Sequence, residues 1–432
     1  MHLLKRLKRT GNKEKLLEDG QGGGTMENRL EKYAKLAVEV GINLKSGEGL
    51  AITTDYRGIP LAREAVKHAY RLGAKDVQIF YSDSMMTLSK YENASEEALA
   101  FFPKWQVDAI CAMYEDDYHH LYILTPDPEL LKDVPSDKVA AVQKKAAEAM
   151  SPAVHYRITG QTKWSIVAMP TQTWADSVFP DLPAEEALEK LWEKVAYAVR
   201  LDHEDPVEAW RAHDRALKKY RDYLNDASFE KLKLTAPGTA LEMTLAEGHY
   251  WMGGSKESFK GDAYVANIPT EEVFTTPHRM KVNGTVKATK PLSVNGKLVD
   301  HFGFEFKDGC VTDFYAGKGA DVLKKLLEND EGACRLGEVA LVPNHSPISD
   351  TGILFNNTLF DENASVHLAL GRAYTYAMRD GNQMTPETLE EKGANNSLIH
   401  VDFMIGGPEM TIVAYSKDGS TVTLFDKGNW TF

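Results

Sequence analysis

Cysteine is scarce in this 432-residue chain. Cys111, Cys310 and Cys334 are the full complement, odd in number and widely spaced. That pattern excludes a disulfide framework and a CxxC zinc pair, and predicts three buried thiols in a reducing cytoplasm. Long apolar runs are missing as well: no stretch approaches the ~18 residues that a membrane helix needs. The basic start at residues 1–9 is not followed by an apolar run of signal-peptide length. Positive charge is in deficit. Lys and Arg number 50 against 63 Asp and Glu, a formal net charge of −13. Nucleic acid and anionic membranes are therefore poor partners, because both select clustered Lys and Arg. What is present is ordinary for a globular chain: 43% hydrophobic and 26% charged residues, at a length that suggests two domains.

Residues 1–25 differ from the rest. They carry six Lys/Arg against three Asp/Glu and end in Gly20-Gln21-Gly22-Gly23-Gly24-Thr25, the composition of a flexible linker. A clean helical pattern opens at Met26, with Leu30, Tyr33, Ala34, Ala37, Val40 and Leu44 on one broad face. Met26 is expected to start the folded body, whose net charge without the leader is −16. The leader reads as an upstream extension, with a basic targeting arm as the alternative.

From 26 to about 230, helical and strand-like segments alternate. Helices are expected at 27–44, 60–73, 136–150, 183–200 and 205–225. Strands are expected at 50–54, 76–81, 107–112, 122–124 and 163–169. Alternation of this kind predicts an α/β N-terminal domain with a mainly parallel sheet. From about 231 to 432 strand-like segments follow one another, at 231–234, 240–245, 284–288 and 304–307. Asn283-Gly284, Asn295-Gly296 and Asp308-Gly309 are hairpin-type dipeptides. One helix, at 319–328, interrupts them. The boundary is placed near 228–236, and the second half is expected to be an α+β C-terminal domain carrying the chemistry.

The most informative segment is Ser397–Gly407. Its apolar, β-branched texture reads as a strand, and a period of two puts His400 and Asp402 on one face with Ile399, Val401 and Phe403 on the other. An imidazole and a carboxylate side by side on a rigid strand suit one divalent metal. Alone, they equally suit an exposed ion pair. Glu362 and His367 are five apart and converge only if the chain turns between them. Glu338 lies in the apolar run Leu336–Val342, where a buried carboxylate is costly unless paired or bound to a cation; the plain alternative is a solvent face. Glu271 and Glu272 lie between Pro269 and Pro277, where a solvated turn is the default. Together Glu272, Glu338, Glu362, Asp402, His367 and His400 make the right inventory for two adjacent divalent ions sharing one carboxylate. His119 and His120 are adjacent on a strand and face opposite ways, so they chelate poorly. His278 and His345 are placed near the cleft, not among the ligands.

Four ordered segments carry a resemblance. They are Ile-Pro-Thr-Glu-Glu-Val-Phe-Thr-Thr-Pro at 268–277, Leu-Gly-Glu-Val-Ala-Leu-Val at 336–342, Leu-Phe-Asp-Glu-Asn-Ala-Ser-Val-His-Leu-Ala-Leu-Gly at 359–371, and Ile-His-Val-Asp-Phe-Met-Ile-Gly at 399–406. With the phrase from Arg29 to Asp55, the chain resembles the thermophilic-aminopeptidase family of metallopeptidases, of the aminopeptidase T and aminopeptidase S type, over essentially all of 26–432. The resemblance implies a cytoplasmic, homodimeric hydrolase that releases N-terminal amino acids from peptides using two divalent ions (Zn, Co, Mg or Mn). It implies Glu272, Glu338, Glu362, His367, His400 and Asp402 as ligands, with Glu338 as the bridge. Glu272 is preferred to Glu271 as the acid directly before Val-Phe-Thr. Tyr374 matches the family's active-site tyrosine and is expected to donate to the developing oxyanion; without the family it would read as a core aromatic on a helix. Glu271 is the non-ligand carboxylate available as proton acceptor. Two rivals stand beside this reading: an amidase or esterase with the same centre, and a non-catalytic metal-binding module.

Overall fold

A computed structural model describes residues 25–294 and 297–432. The expected leader, up to residue 24, and the Asn295-Gly296 turn lie outside the described residues.

The N-terminal half is α/β. Its sheet has five strands, in the order Asn267–Ile268, Trp164–Ala168, Tyr118–Leu124, Gly49–Asp55 and Asp76–Ser82. Every pairing in it is parallel. Leu50, Ile52, Leu121 and Val167 are buried in its core with Trp174, Leu191 and Trp210 from the covering helices, as a parallel sheet with helices on its faces requires. The strand at the other end of the sheet, Asn267–Ile268, comes from the C-terminal half of the chain. The opening helix runs Met26–Leu36 and continues as a π-helical turn, Ala37–Ile42. Gly41 sits in that turn because a Cβ there would come within 2.6 Å of Ser165 Oγ.

One expected strand is corrected. Residues 107–112 lie inside the Lys104–Glu115 helix. Only Val107 and Tyr114 of that helix are buried, two turns apart on one stripe; a short, mostly apolar run does not by itself tell a strand from a helix.

The C-terminal half is mostly antiparallel. One five-stranded sheet runs His400–Met404, His367–Gly371, Leu336–Leu341, Val273–Thr275 and Met252–Gly253. A larger sheet, built around Thr239–Leu245, Pro277–Lys287 and Lys297–Lys307, packs against it through a shared core. Val339, Leu341, Leu368, Leu370 and Phe403 meet Leu234, Leu241, Met243, Phe304 and Phe306 there. Each fully buried side chain of this kind contributes about 1.5–3 kcal/mol. Asp308 and Gly309, both at positive φ, turn Lys297–Lys307 into Cys310–Lys318 as expected. Asn283-Gly284 instead lies within the Pro277–Lys287 strand, and the chain does not reverse there.

The expectation of three thiols is also corrected. Cys310 and Cys334 are joined by a disulfide, and only Cys111 is free. Twenty-four residues separate the two in sequence. They meet because Cys310 and Arg335 form a bridge between otherwise separate strands, a pairing that spacing alone does not announce. Among the described residues no helix is long and apolar enough to cross a membrane.

Candidate metal centre

The period of two assigns every residue of the smaller C-terminal sheet to one of two faces. Leu336–Leu341, His367–Gly371 and His400–Met404 each send alternate residues into the shared core. The opposite face carries Glu338 and Ala340, then His367 and Ala369, then His400 and Asp402. Register places Glu338 opposite Ala369, and Ala369 opposite Asp402. A methyl group between two carboxylates leaves open space above the sheet, and Ala340 opposite His367 does the same. Glu272 precedes the Val273–Thr275 strand and shares a face with Phe274, which pairs with Ala340. The chain turns through Thr358–Asp361 and a 3₁₀ turn at Glu362–Ala364 before entering the His367 strand. That turn brings Glu362 and His367 to one place.

Two triplets form, and Glu338 belongs to both: Glu272, Glu338 and His367, and Glu338, His400 and Asp402. His367 Nε2 lies 3.2 Å from Glu272 Oε2 and 3.5 Å from Glu338 Oε1. His400 Nε2 lies 3.3 Å from Asp402 Oδ1 and 3.6 Å from Glu338 Oε2. Glu362 stands outside both triplets. It is near enough that burial, with the charges of Asp402 and Glu272, drives its carboxyl well above the usual carboxylate range. Glu338 is 4% exposed, so the solvent-face alternative fails.

Tautomer decides what these groups can hold. His367 Nδ1 donates to the Ser365 carbonyl at 3.1 Å, and His400 Nδ1 donates to the Arg372 carbonyl at 2.7 Å. A carbonyl oxygen only accepts, so each Nδ1 carries a proton and a neutral ring presents its bare Nε2 to the carboxylates. Glu338 Oε2 is buried and has no hydrogen-bond partner among the described residues. With both rings neutral, lone pairs would face lone pairs, so the arrangement needs protons or metal ions between them. Four carboxylates and two imidazoles are a fitting donor set for hard-to-borderline divalent ions.

The electrostatics state the same need in another form. With protons as the only cations, burial opposes charge on His400, but Asp402 and Glu338 outweigh it and hold His400 up at about 9. Burial, then the charges of Glu272 and Asp402, lifts Glu338 to about 7 against the hydrogen bond from His367. Burial would also raise Asp402, yet His400 and His367 hold it below its ordinary value.

The other two predicted site residues behave differently. Tyr374 lies on a loop leading into a 3₁₀ turn, Thr375–Ala377, not on a helix. Its ring is 4.5 Å from His400 and stacks on Tyr376 at 5.0 Å. Burial, the neighbouring Tyr376 and the carboxylates keep its hydroxyl protonated far above the usual phenol range. Glu271 is not brought into the cluster. Its carboxylate is bidentate to Arg200, at 2.7 and 3.0 Å, and 3.4 Å from His213 Nε2. Its backbone N–H donates to Asn363 Oδ1 at 2.8 Å. Asn363 Nδ2 in turn donates to Glu362 Oε1 at 3.4 Å. Arg200 and Asn363 thus tie the Glu272 segment to the Glu362 turn. Sequence reasoning passed over both; Asn363 stood inside a quoted motif, whereas Arg200 is 71 residues away and carries no local signal. His345 is exposed, and His278 lies against Gly393; neither joins the centre.

A family model described as "Thermophilic metalloprotease (M29)" matches residues 26–430. The chain belongs to the M29 metallopeptidase family. That makes it a metal-dependent peptide hydrolase. It is 44% identical over 409 residues to Aminopeptidase 2 of Geobacillus stearothermophilus, covering 94% of this chain and 98% of that one. It is 41% identical to Aminopeptidase T of Thermus thermophilus, covering 94% and 98%. A solved structure titled "Wild-type AmpT from Thermus thermophilus" superposes with a TM-score of 0.88 at 40% identity, covering 94% of this chain and all of that one.

Proposed function

We propose that this M29 metallopeptidase is a two-metal aminopeptidase whose centre is built from Glu272, Glu338, Glu362, His367, His400 and Asp402, with Glu338 shared between the ions. The observation that carries this reading is that His367 and His400, each with Nδ1 on a backbone carbonyl, turn Nε2 toward a buried Glu338 whose Oε2 has no hydrogen-bond partner among the described residues. Divalent ions bound there would supply Lewis-acid polarisation and a water of lowered pKa. Zinc, cobalt, magnesium or manganese all suit this donor set, and availability selects among them.

The protein's own groups divide the remaining work. The carboxylates attract the α-ammonium of a peptide with a free amino terminus. Tyr374, held protonated, donates its O–H to the oxyanion as the carbonyl becomes tetrahedral. Glu271 is reassigned from proton acceptor to positioning residue, because Arg200 already occupies both of its oxygens. The folded body divides near residue 230 into an α/β domain of 26–230 and a metallopeptidase domain of 231–432, the latter lending Asn267–Ile268 to the former's sheet. Met85, Met86, Phe101 and Trp105 are large apolar side chains left exposed on the N-terminal helices and the segment joining them, and a homodimer interface accounts for them. A cytoplasmic setting is retained on the family resemblance; the Cys310–Cys334 disulfide counts against a strictly reducing one.

The test is hydrolysis of leucine p-nitroanilide after chelation, dialysis and return of Co²⁺, Zn²⁺, Mg²⁺ or Mn²⁺. Restored turnover, absent for the N-acetylated substrate, is expected. Equal turnover of the blocked substrate would favour the amidase or esterase reading, and folding without turnover the binding module.

A further inference from the structure

The charged groups around the centre include one cation with no anion of its own. Lys256 lies on a short strand, Lys256–Glu257, paired antiparallel with Ala263–Tyr264. It is half-buried. Its Nζ is 4.4 Å from the centroid of the Tyr376 ring and 5.3 Å from that of Trp164. Among the described residues its ammonium makes no ion pair and no side-chain hydrogen bond. The contrast with Lys163 is direct, since that buried ammonium holds both oxygens of Glu48.

Burial pulls the Lys256 ammonium down to about 8 against the charges of Glu272 and Glu338, and the two aromatic faces attract it, because a ring face draws a cation. They also fix its place. Trp164 belongs to the parallel sheet, and Tyr376 stacks on Tyr374 beside His400. The ammonium is therefore held between the N-terminal sheet and the tyrosine pair of the metal centre. Glu272 and Glu338 are the carboxylates whose charges act on it.

A peptide with both termini free is a zwitterion. The acidic centre suits its ammonium end and repels its anionic oxygens, which need a cation that is not already paired. We propose that Lys256 binds an anionic oxygen of the substrate, foremost the C-terminal carboxylate of a short peptide, with Trp164 and Tyr376 as the walls that hold the ammonium in place. This inference rests on the metallopeptidase reading of the centre. The same ammonium chemistry would serve the oxyanion of the tetrahedral intermediate, and the substrates below separate the two sources.

The experiment compares metal-loaded wild type, Lys256→Met and Lys256→Arg on Leu-Leu, Leu-Leu-amide and leucine p-nitroanilide, with bound metal measured for each. The expected result is a KM for Leu-Leu raised at least about tenfold in Lys256→Met, as loss of a charge-assisted contact predicts. The amide and the anilide should change less than about twofold, and Lys256→Arg should recover most of the loss. An equal fall in kcat on all three substrates with bound metal unchanged would uphold the anion site and place it at the oxyanion. Unaltered kinetics on all three, or losses that follow bound metal, would overturn the proposal. If Lys256→Met fails to fold, Lys256→Gln takes its place in the same comparison, with the same expected and overturning outcomes. Wild type inactive on all three would instead overturn the metallopeptidase reading itself.

Discussion

Each half of the molecule holds a cluster of buried ionisable groups built on an acid and a histidine. In the parallel sheet, Glu48 receives Lys163 at 2.7 and 3.0 Å and faces His119 Nε2 at 3.1 Å. Nearby Asp117 takes Lys260 at 2.6 Å. In the antiparallel sheet, four carboxylates and two imidazoles meet with no Lys or Arg in ion-pair contact among the described residues. Both hold an acid–histidine triplet with metal-like spacing. The histidines separate them. His119 Nδ1 accepts the Lys163 backbone N–H, so its proton sits on Nε2, toward Glu48. His367 and His400 each donate from Nδ1 to a backbone carbonyl and turn Nε2 toward the acids. The first cluster is closed by its own lysine, and a further cation there would meet repulsion. The second is open and asks for cations from outside. Charge balance and the direction in which each imidazole points separate the two clusters where spacing alone does not.

Breaking the open cluster should cost activity and not stability. Glu338→Gln is expected to lower kcat/KM by more than about a hundredfold, beyond what loss of a metal's outer partner costs, while the thermal midpoint holds or rises because a buried carboxylate is gone. An active Glu338→Gln would remove this residue from the centre. Breaking the closed cluster should do the reverse. Lys163→Met leaves Glu48 buried and unpaired, and is expected to destabilise the protein by about 3–5 kcal/mol in denaturant titration, with turnover per folded molecule unchanged. Tyr374→Phe should reduce kcat by about a hundredfold with little change in KM, since the contact is proposed for the transition state. A pure KM effect would contradict that role.

The smallest expected effect is a pH dependence confined to the closed cluster. Burial alone would raise the Glu48 carboxyl, but hydrogen bonds from His119 and Lys163 outweigh it and hold it down from 4.5 to about 2. A depressed acid contributes stability that is fully present above the unfolded value and lost as pH falls through the folded one. Stability measured between pH 4.5 and 2 should therefore fall more steeply in wild type than in Glu48→Gln. Parallel curves would show that Glu48 is not held as described.

Much of the open cluster was legible because its strands are amphipathic. With Val339, Leu368 and Phe403 committed to the core, the period of two sends Glu338, His367 and Asp402 to the other face. The four motifs also kept their order. What was not legible depends on partners distant in sequence. Arg200 claims Glu271 across 71 residues. Lys256 gains its setting only when Trp164 and Tyr376 converge. Cys310 and Cys334 pair only because separate strands meet. Residues 107–112 read as a strand because a short, mostly apolar run fits either element, while the helical stripe of Val107 and Tyr114 shows only over two turns.

The most direct test of the central claim is metal stoichiometry. Chelated and dialysed wild type, Glu338→Gln and Glu48→Gln would each be titrated with Co²⁺ by calorimetry, with bound metal counted by elemental analysis. The account predicts about two ions per chain for wild type and for folded Glu48→Gln, and a loss of binding in Glu338→Gln. Undiminished binding in Glu338→Gln, or binding lost on changing Glu48 in a folded protein, would contradict it.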